Sequence, residues 1–426
     1  MSVPYLPSTD ADREAMLQTI GAASVDELFD DIPREFRDPD LTLPEPVSEM
    51  ELRREFQRLS AQNAHTDDYT CFLGAGAYHH FIPSVVWSLA KQSELATSYT
   101  PYQPELSQGN LQAMYEFQTL VCQLLGMEVA NTGMYDGATA LAEAALMACR
   151  VTKRQVVTIL DTVSAQYVEV VRTYAEPQGI EVAAVQAGTM AMGSGCLIAQ
   201  SPNFLGGLED LAPLSHQAHE GGALFVVATD PIAMGLFRPP SDYGVDIAVA
   251  EGQPLGVPLS FGGPYVGLFA CKTEHIRQMP GRLVGRTVDG EGRTGYVLTL
   301  QTREQHIRRE RATSNICTSE TLVALACAIY LAAMGRQGLR SVAELCYHKA
   351  HHAASRIASL PGYSTPGDRP FFKEFVVQCP RSPAEINRAL LERRIIGGLD
   401  ISDHTPNGML LCVTEMNTGE EIDRLV

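Results

Sequence analysis

The residues best placed for chemistry in this chain stand at the ends of short apolar runs. Asp230 closes the run LFVVATD, where a carboxylate can pair with a protonated ring nitrogen or can cap the turn before Pro231. Gly137, Ala138 and Thr139 open the segment GATALAEAALMACR. Small residues at a helix start leave amides free to meet an anion such as phosphate, unless Asp136 caps them itself. Residues 246–264, DIAVAEGQPLGVPLSFGGP, lead from one apolar strand through a Gly/Pro-rich turn to a second, YVGLFACK.

An aspartate, an anion-binding helix end and a strand-turn-strand corner are three parts of a pyridoxal-phosphate site. The fourth part is a lysine that condenses with the aldehyde, and the corner has Gln253 near that position. An amide cannot form such a bond. The lysines of the chain are Lys91, Lys153, Lys272, Lys349 and Lys373. Lys272 is the nearest in sequence, but it ends a strand beyond the turn and precedes TEHIRQM, which reads as an exposed helix start.

Two loops have the composition of a small-molecule pocket, with aromatic, amide and imidazole groups on flexible backbone. SYTPYQPELSQGN holds Tyr99, Tyr102 and Gln108, and GAGAYHHFIP holds Tyr78, His79 and His80. Each of these side chains also has an ordinary structural explanation. Arginines 277, 282, 286, 293, 303, 308, 309 and 311 form a local basic island, which interleaved acids turn into a solvated, salt-bridged face or which meets an anionic partner. No HExxH, P-loop, GxSxG or GxGxxG pattern is present, and no CxxC pair, so metalloprotease, NTPase, hydrolase, dinucleotide and zinc readings lack their motif; no metal site is expected.

These residues require a scaffold that brings strand ends together. QVVTIL, IEVAAVQ, GCLIAQSP and ALFVVATDP are short apolar strands separated by helical segments, with Gly or Asp at the turns. That alternation predicts a mostly parallel sheet covered on both faces, a doubly wound α/β domain. It spans residues 67–334. Residues 1–66 read as a helical arm broken by prolines, and 335–426 as a smaller C-terminal α+β domain.

The totals are those of a globular protein: 426 residues, 45% hydrophobic, 19% charged. Thirty-two basic against fifty acidic side chains give a formal charge of −18, which disfavours nucleic acid as a partner. The apolar run LVALACAIYLAA from Leu322 is short for a bilayer span and reads as a buried helix. The N-terminus carries acids where a targeting peptide would carry bases, and the ten cysteines read as reduced and mostly buried; the expected location is cytoplasmic.

Taken in order, FLGAGAYHHFIP, SYTPYQPELSQG, MYDGATALAEAALMA, AEGQPLGVPLSFGGPYVGLFA and YVLTLQTREQHIRRERATSNICT resemble the glycine cleavage system P-protein family, in the bacterial form encoded as two chains and there its first subunit. The likeness covers nearly the whole chain; His79 departs from the acidic residue expected there. It implies a fold type I pyridoxal-phosphate protein in an α2β2 assembly, with the cofactor lysine on subunit 2. The implied reaction decarboxylates glycine and passes the aminomethyl group to the lipoyl arm of H-protein. Tyr99, Tyr102, His80, Asn315 and Thr318 are then the candidates for a shared pocket. Gly137, Thr139, Asp230 and Gln253 would mark a vestigial cofactor pocket. The alternatives are a stand-alone pyridoxal-phosphate lyase using Lys272 and a non-catalytic scaffold for a partner.

Overall fold

The computed structural model describes residues 7–37, 39–96, 100–316, 320–367 and 369–426. Tyr99 and Thr318 lie outside the described residues. The chain divides into two compact units, Met1–Asn63 and Ala64–Val426.

In the first unit, helices Asp10–Ile20 and Glu49–Ser60 each begin with a reciprocal capping box, Thr9 with Asp12 and Ser48 with Glu51. The acidic stretch from Asp26 forms only a four-residue 3-10 turn.

The second unit is built on a seven-stranded sheet. Its strands are Val129–Ala130 (β1), Val156–Leu160 (β2), Glu181–Val185 (β3), Cys196–Ser201 (β4), Leu224–Thr229 (β5), Ile247–Glu251 (β6) and Gly267–Cys271 (β7), in the order β1-β7-β6-β5-β4-β2-β3. Strands β2 to β6 run parallel; β7 is antiparallel to β6 and to β1. The four expected strands are β2 to β5. Their residues are almost continuously apolar because helices cover both faces, as a parallel sheet requires. Helix Gly137–Thr152 is the central one, with eleven buried residues from Gly137 to Cys149.

The apolar run from Leu322 belongs to the helical span Thr321–Ala358, which Gly335 divides in two with φ 60° and ψ −178°. That backbone is open to glycine and strained for other residues. The first half buries Val323, Ala324, Ala326, Cys327, Tyr330 and Leu331 in the main core. The expected domain boundary at 335 falls on this kink. Beyond it, strands Glu374–Gln378, Gly408–Cys412 and Leu399–Asp400 form a three-stranded antiparallel sheet.

The N-terminal edge of the expected large domain packs with the C-terminal elements instead. Strand Thr70–Cys71 pairs in parallel with Ile395–Ile396, and Phe72 is fully buried in the cluster with Ala353, Phe375 and Leu411. A hairpin, Leu283–Val288 with Thr294–Thr299, occupies part of the basic island. Two of that island's arginines are interior: Arg282 lies 3.4 Å from the Glu304 carboxylate, and Arg303 donates to the carbonyls of Met279, Gly281 and Leu300. Arg293, paired with Asp289 and Glu291, keeps the solvated character that the sequence suggests.

Candidate functional site

In open α/β sheets the ligand crevice lies outside the carboxyl ends of the strands. Here Gln200, Asp230 and Glu251 follow or end β4, β5 and β6, and all three line one cavity with Tyr78, Lys373 and Glu374. The cavity holds about 40 Å³. Small-molecule pockets run to roughly 300–1,000 Å³.

The cavity is small because side chains fill each part of the corner. Asp230 accepts the Ile232 amide at 2.8 Å through one oxygen and pairs with the Lys373 ammonium at 2.7 Å through the other. The turn-capping role of Asp230 and its role as a counter-ion therefore coexist. Gly137 donates its amide at 2.9 Å to Glu251 Oε2, while Asp136 caps Thr139 N at 2.7 Å. A Cβ on Gly137 would come within 2.5 Å of the Tyr167 hydroxyl and 3.0 Å of the Glu251 backbone. Thr139 turns its hydroxyl back to Asp136 at 2.9 Å. Gln253, 1% exposed, accepts from Tyr78 N at 2.8 Å and donates to Tyr78 O at 2.9 Å and Val257 O at 2.8 Å.

Pyridoxal phosphate does not fit these residues within this chain. A carboxyl group sits on the helix end that would take the phosphate, an ammonium sits on the aspartate that would take the ring nitrogen, and among the described residues no unpaired amine lines the cavity.

A buried polar chain continues from Lys373. Its ammonium lies 3.0 Å from His80 Nε2 and 3.5 Å from the centroid of the Tyr78 ring. Because an ammonium only donates, His80 Nε2 accepts, and Nδ1–H donates to Glu415 at 2.7 Å. Burial and the adjacent ammonium push the His80 pKa down, which keeps the ring neutral. The Glu415 carboxyl is held at about 2, where the hydrogen bond from His80 and the Phe81 amide outweigh the opposing effect of burial. Next to it, Glu374 accepts from Ala75 N at 2.6 Å and from the Tyr78 hydroxyl at 2.8 Å, and burial raises it to about 6. The side chains of Tyr78 and His80 are thus both tied to the interior.

The shared-pocket candidates separate into two groups. His80, only 5% exposed with both ring nitrogens engaged, is an interior residue within this chain. Tyr102 is 48% exposed; its hydroxyl accepts from Arg282 at 3.2 Å and its ring lies 5.1 Å from His306. Asn315 is exposed beside Ser314, whose hydroxyl donates to buried Glu143 at 2.6 Å. Lys272 binds Asp246 at 2.5 Å, at the opposite end of β6 from Glu251. Five residues of strand at about 3.3 Å each put it roughly 16 Å away, so it cannot serve the corner. Lys373 and Glu251 were not legible as site residues in the sequence.

Among solved structures, C-DES with glycine covalently linked to its pyridoxal-phosphate cofactor aligns over 90% of this chain and 98% of its own, with TM-score 0.61 at 15% identity. The sheet order and the contents of its crevice therefore define a protein with the fold of pyridoxal-phosphate enzymes in which Gln253 stands near the usual lysine position and the one lysine lining the cavity, Lys373, is paired with Asp230. A family model described as glycine cleavage system P-protein matches residues 3–426. The probable glycine dehydrogenase (decarboxylating) subunit 1 of Thermomicrobium roseum is 52% identical over 438 residues, 99% of this chain and 98% of the relative. The crystal structure of glycine decarboxylase (P-protein) of the glycine cleavage system, in inhibitor-bound form, superposes with TM-score 0.95 at 44% identity, over 99% of this chain and 98% of that one. The chain belongs to the glycine cleavage system P-protein family. Its activity is glycine decarboxylation in that system, exercised as subunit 1 of a multi-subunit enzyme.

Proposed function

We propose that this chain completes an active site whose cofactor lysine is on subunit 2. The observation that carries this reading is the closed corner, where Lys373, Glu251 and Gln253 fill the places a cofactor would need. Bound pyridoxal phosphate supplies an electron sink when glycine loses carbon dioxide. The residues of this chain orient and enclose. Tyr102 and Asn315 face the shared pocket and position the glycine carboxylate and the incoming lipoyl arm of H-protein. His80 acts from the interior by fixing the loop that carries Tyr78 and Phe81. The assembly is an α2β2 heterotetramer in the cytoplasm, with neither nucleic acid nor membrane as a partner.

A face for subunit 2 is present in the apolar row of Phe81, Val85 and Leu89. All three side chains are at least 40% exposed, and Val85 and Leu89 share one face of helix Ser84–Ala90. The test is co-expression with subunit 2 followed by release of labelled carbon dioxide from glycine in the presence of lipoylated H-protein. Each chain alone should be inactive and the pair active. Decarboxylation by this chain alone would overturn the reading, and full activity of subunit 2 alone would reduce this chain to a scaffold.

A further inference from the structure

The corner is closed in an ordered way. At one end of the cavity Asp230, which could meet a protonated ring nitrogen, meets the Lys373 ammonium at 2.7 Å, with both side chains nearly buried. At the other end the Gly137 amide, which could meet a phosphate oxygen, meets Glu251 Oε2 at 2.9 Å; Glu251 Oε1 takes the Gln253 amide at 2.9 Å. Both side chains line the same cavity and come from distant segments. We infer that Lys373 and Glu251 are built-in substitutes for the two polar ends of the cofactor, so that the empty fold keeps the interactions a bound cofactor would have supplied.

The physical need for substitutes is direct. Without Lys373, Asp230 would be a buried carboxylate with no counter-charge; without Glu251, the first amide of a buried helix would lack an acceptor. Glu251 meets that need as a hydrogen-bond acceptor in either ionisation state. Burial raises it to about 8 against the ionising pull of the Gly137 and Gln253 amides. The substitution also links the old crevice to the new function, because Lys373 holds His80 at 3.0 Å and lies under the Tyr78 ring. Lys373 is therefore a positioning residue for the loop that carries Tyr78 and Phe81.

The inference rests on the reading that the working cofactor is held by subunit 2, and the test separates the two. The co-expressed assembly, saturated with pyridoxal phosphate, is titrated with 4′-deoxypyridoxine phosphate, which lacks the aldehyde and needs no lysine. Borohydride reduction of the wild-type assembly followed by peptide mapping reports which chain holds the working cofactor. The substitute role is read from the difference between wild type and Lys373→Ala/Glu251→Ala. The double variant should bind one additional equivalent per copy of this chain, and the wild type none. An assembled double variant with no additional equivalent overturns the inference. Should the double variant not assemble, the single variants decide. Inorganic phosphate should raise the Tm of Glu251→Ala above that in chloride of equal ionic strength, and methylammonium should raise that of Lys373→Ala, with neither effect in the wild type. Equal responses of variants and wild type overturn it as well.

Discussion

Gln253 pairs with the backbone of Tyr78 in both directions, accepting its amide at 2.8 Å and donating to its carbonyl at 2.9 Å. The side chain acts as a one-residue strand partner for a loop 175 residues away in sequence. Gln253→Lys should therefore destabilise the chain without restoring a cofactor site. An ammonium can donate to the carbonyl but cannot accept from Tyr78 N–H, and leaving that buried donor unpaired costs on the order of 1–3 kcal/mol. Thermal denaturation with and without pyridoxal phosphate checks this; an unchanged Tm together with a new cofactor absorbance band would refute it.

Neither of the two lysines relevant to the corner should react with the aldehyde. Lys272 is held by Asp246 at the far end of the sheet, and Lys373 is buried and kept protonated by Asp230, which raises its pKa against the effect of burial. Treating this chain with pyridoxal phosphate and borohydride should give no stoichiometric pyridoxyl adduct. Peptide mass mapping is the readout, and one adduct per chain on either lysine is the contrary result.

Glu415 should contribute a stability that depends on pH in a defined direction. Its folded pKa of about 2 lies below the ordinary 4.5, so the unfolded state binds more protons between those values. The contribution is complete above about 4.5 and is lost as pH falls toward 2. Glu415→Gln should accordingly be less stable than wild type at pH 7, with the gap narrowing as pH is lowered from about 5 to 3. Chemical denaturation across that range measures the gap; a constant difference would mean that His80 and Phe81 do not hold the ionised form.

Tyr102→Phe should lower turnover while leaving the assembly intact. The ring keeps its place beside His306, and only the hydroxyl that accepts from Arg282 is removed. Loss of one positioned polar contact is worth on the order of 1–3 kcal/mol in kcat/KM. Steady-state kinetics with glycine, compared with size-exclusion chromatography of the complex, separates this from dissociation. Unchanged kinetics would place the hydroxyl outside the pocket.

The sheet was legible because its strands announce themselves locally: VVTIL, LIAQS and LFVVAT are continuous apolar runs bounded by turn residues. The capping box of Thr9 with Asp12, three residues apart, is equally local. The hairpin from Leu283 was obscured by its arginines, which drew attention to charge over the alternation of LVGRTV and TGYVLT. The contents of the crevice were not legible at all. Lys373 stands in FFKEFVVQ, an ordinary edge-of-strand pattern, and its partners are 143 and 293 residues away. Glu251 reads as the last residue of a strand. Only the fold brings such residues to one place, and the absence of a lysine at Gln253 was the single trace of the exchange that the sequence displays.

That exchange has a direction. Reverting Lys373 alone strands the Asp230 carboxylate, which for a buried pair costs about 3–5 kcal/mol. Reverting Glu251 alone leaves the Gly137 amide without its acceptor, and installing an amine at Gln253 alone strips Tyr78 of its partner. Each such change taken alone lowers stability before any cofactor can bind. The closure of the crevice is thus built into the core itself, where each polar group is satisfied by a side chain from a distant segment.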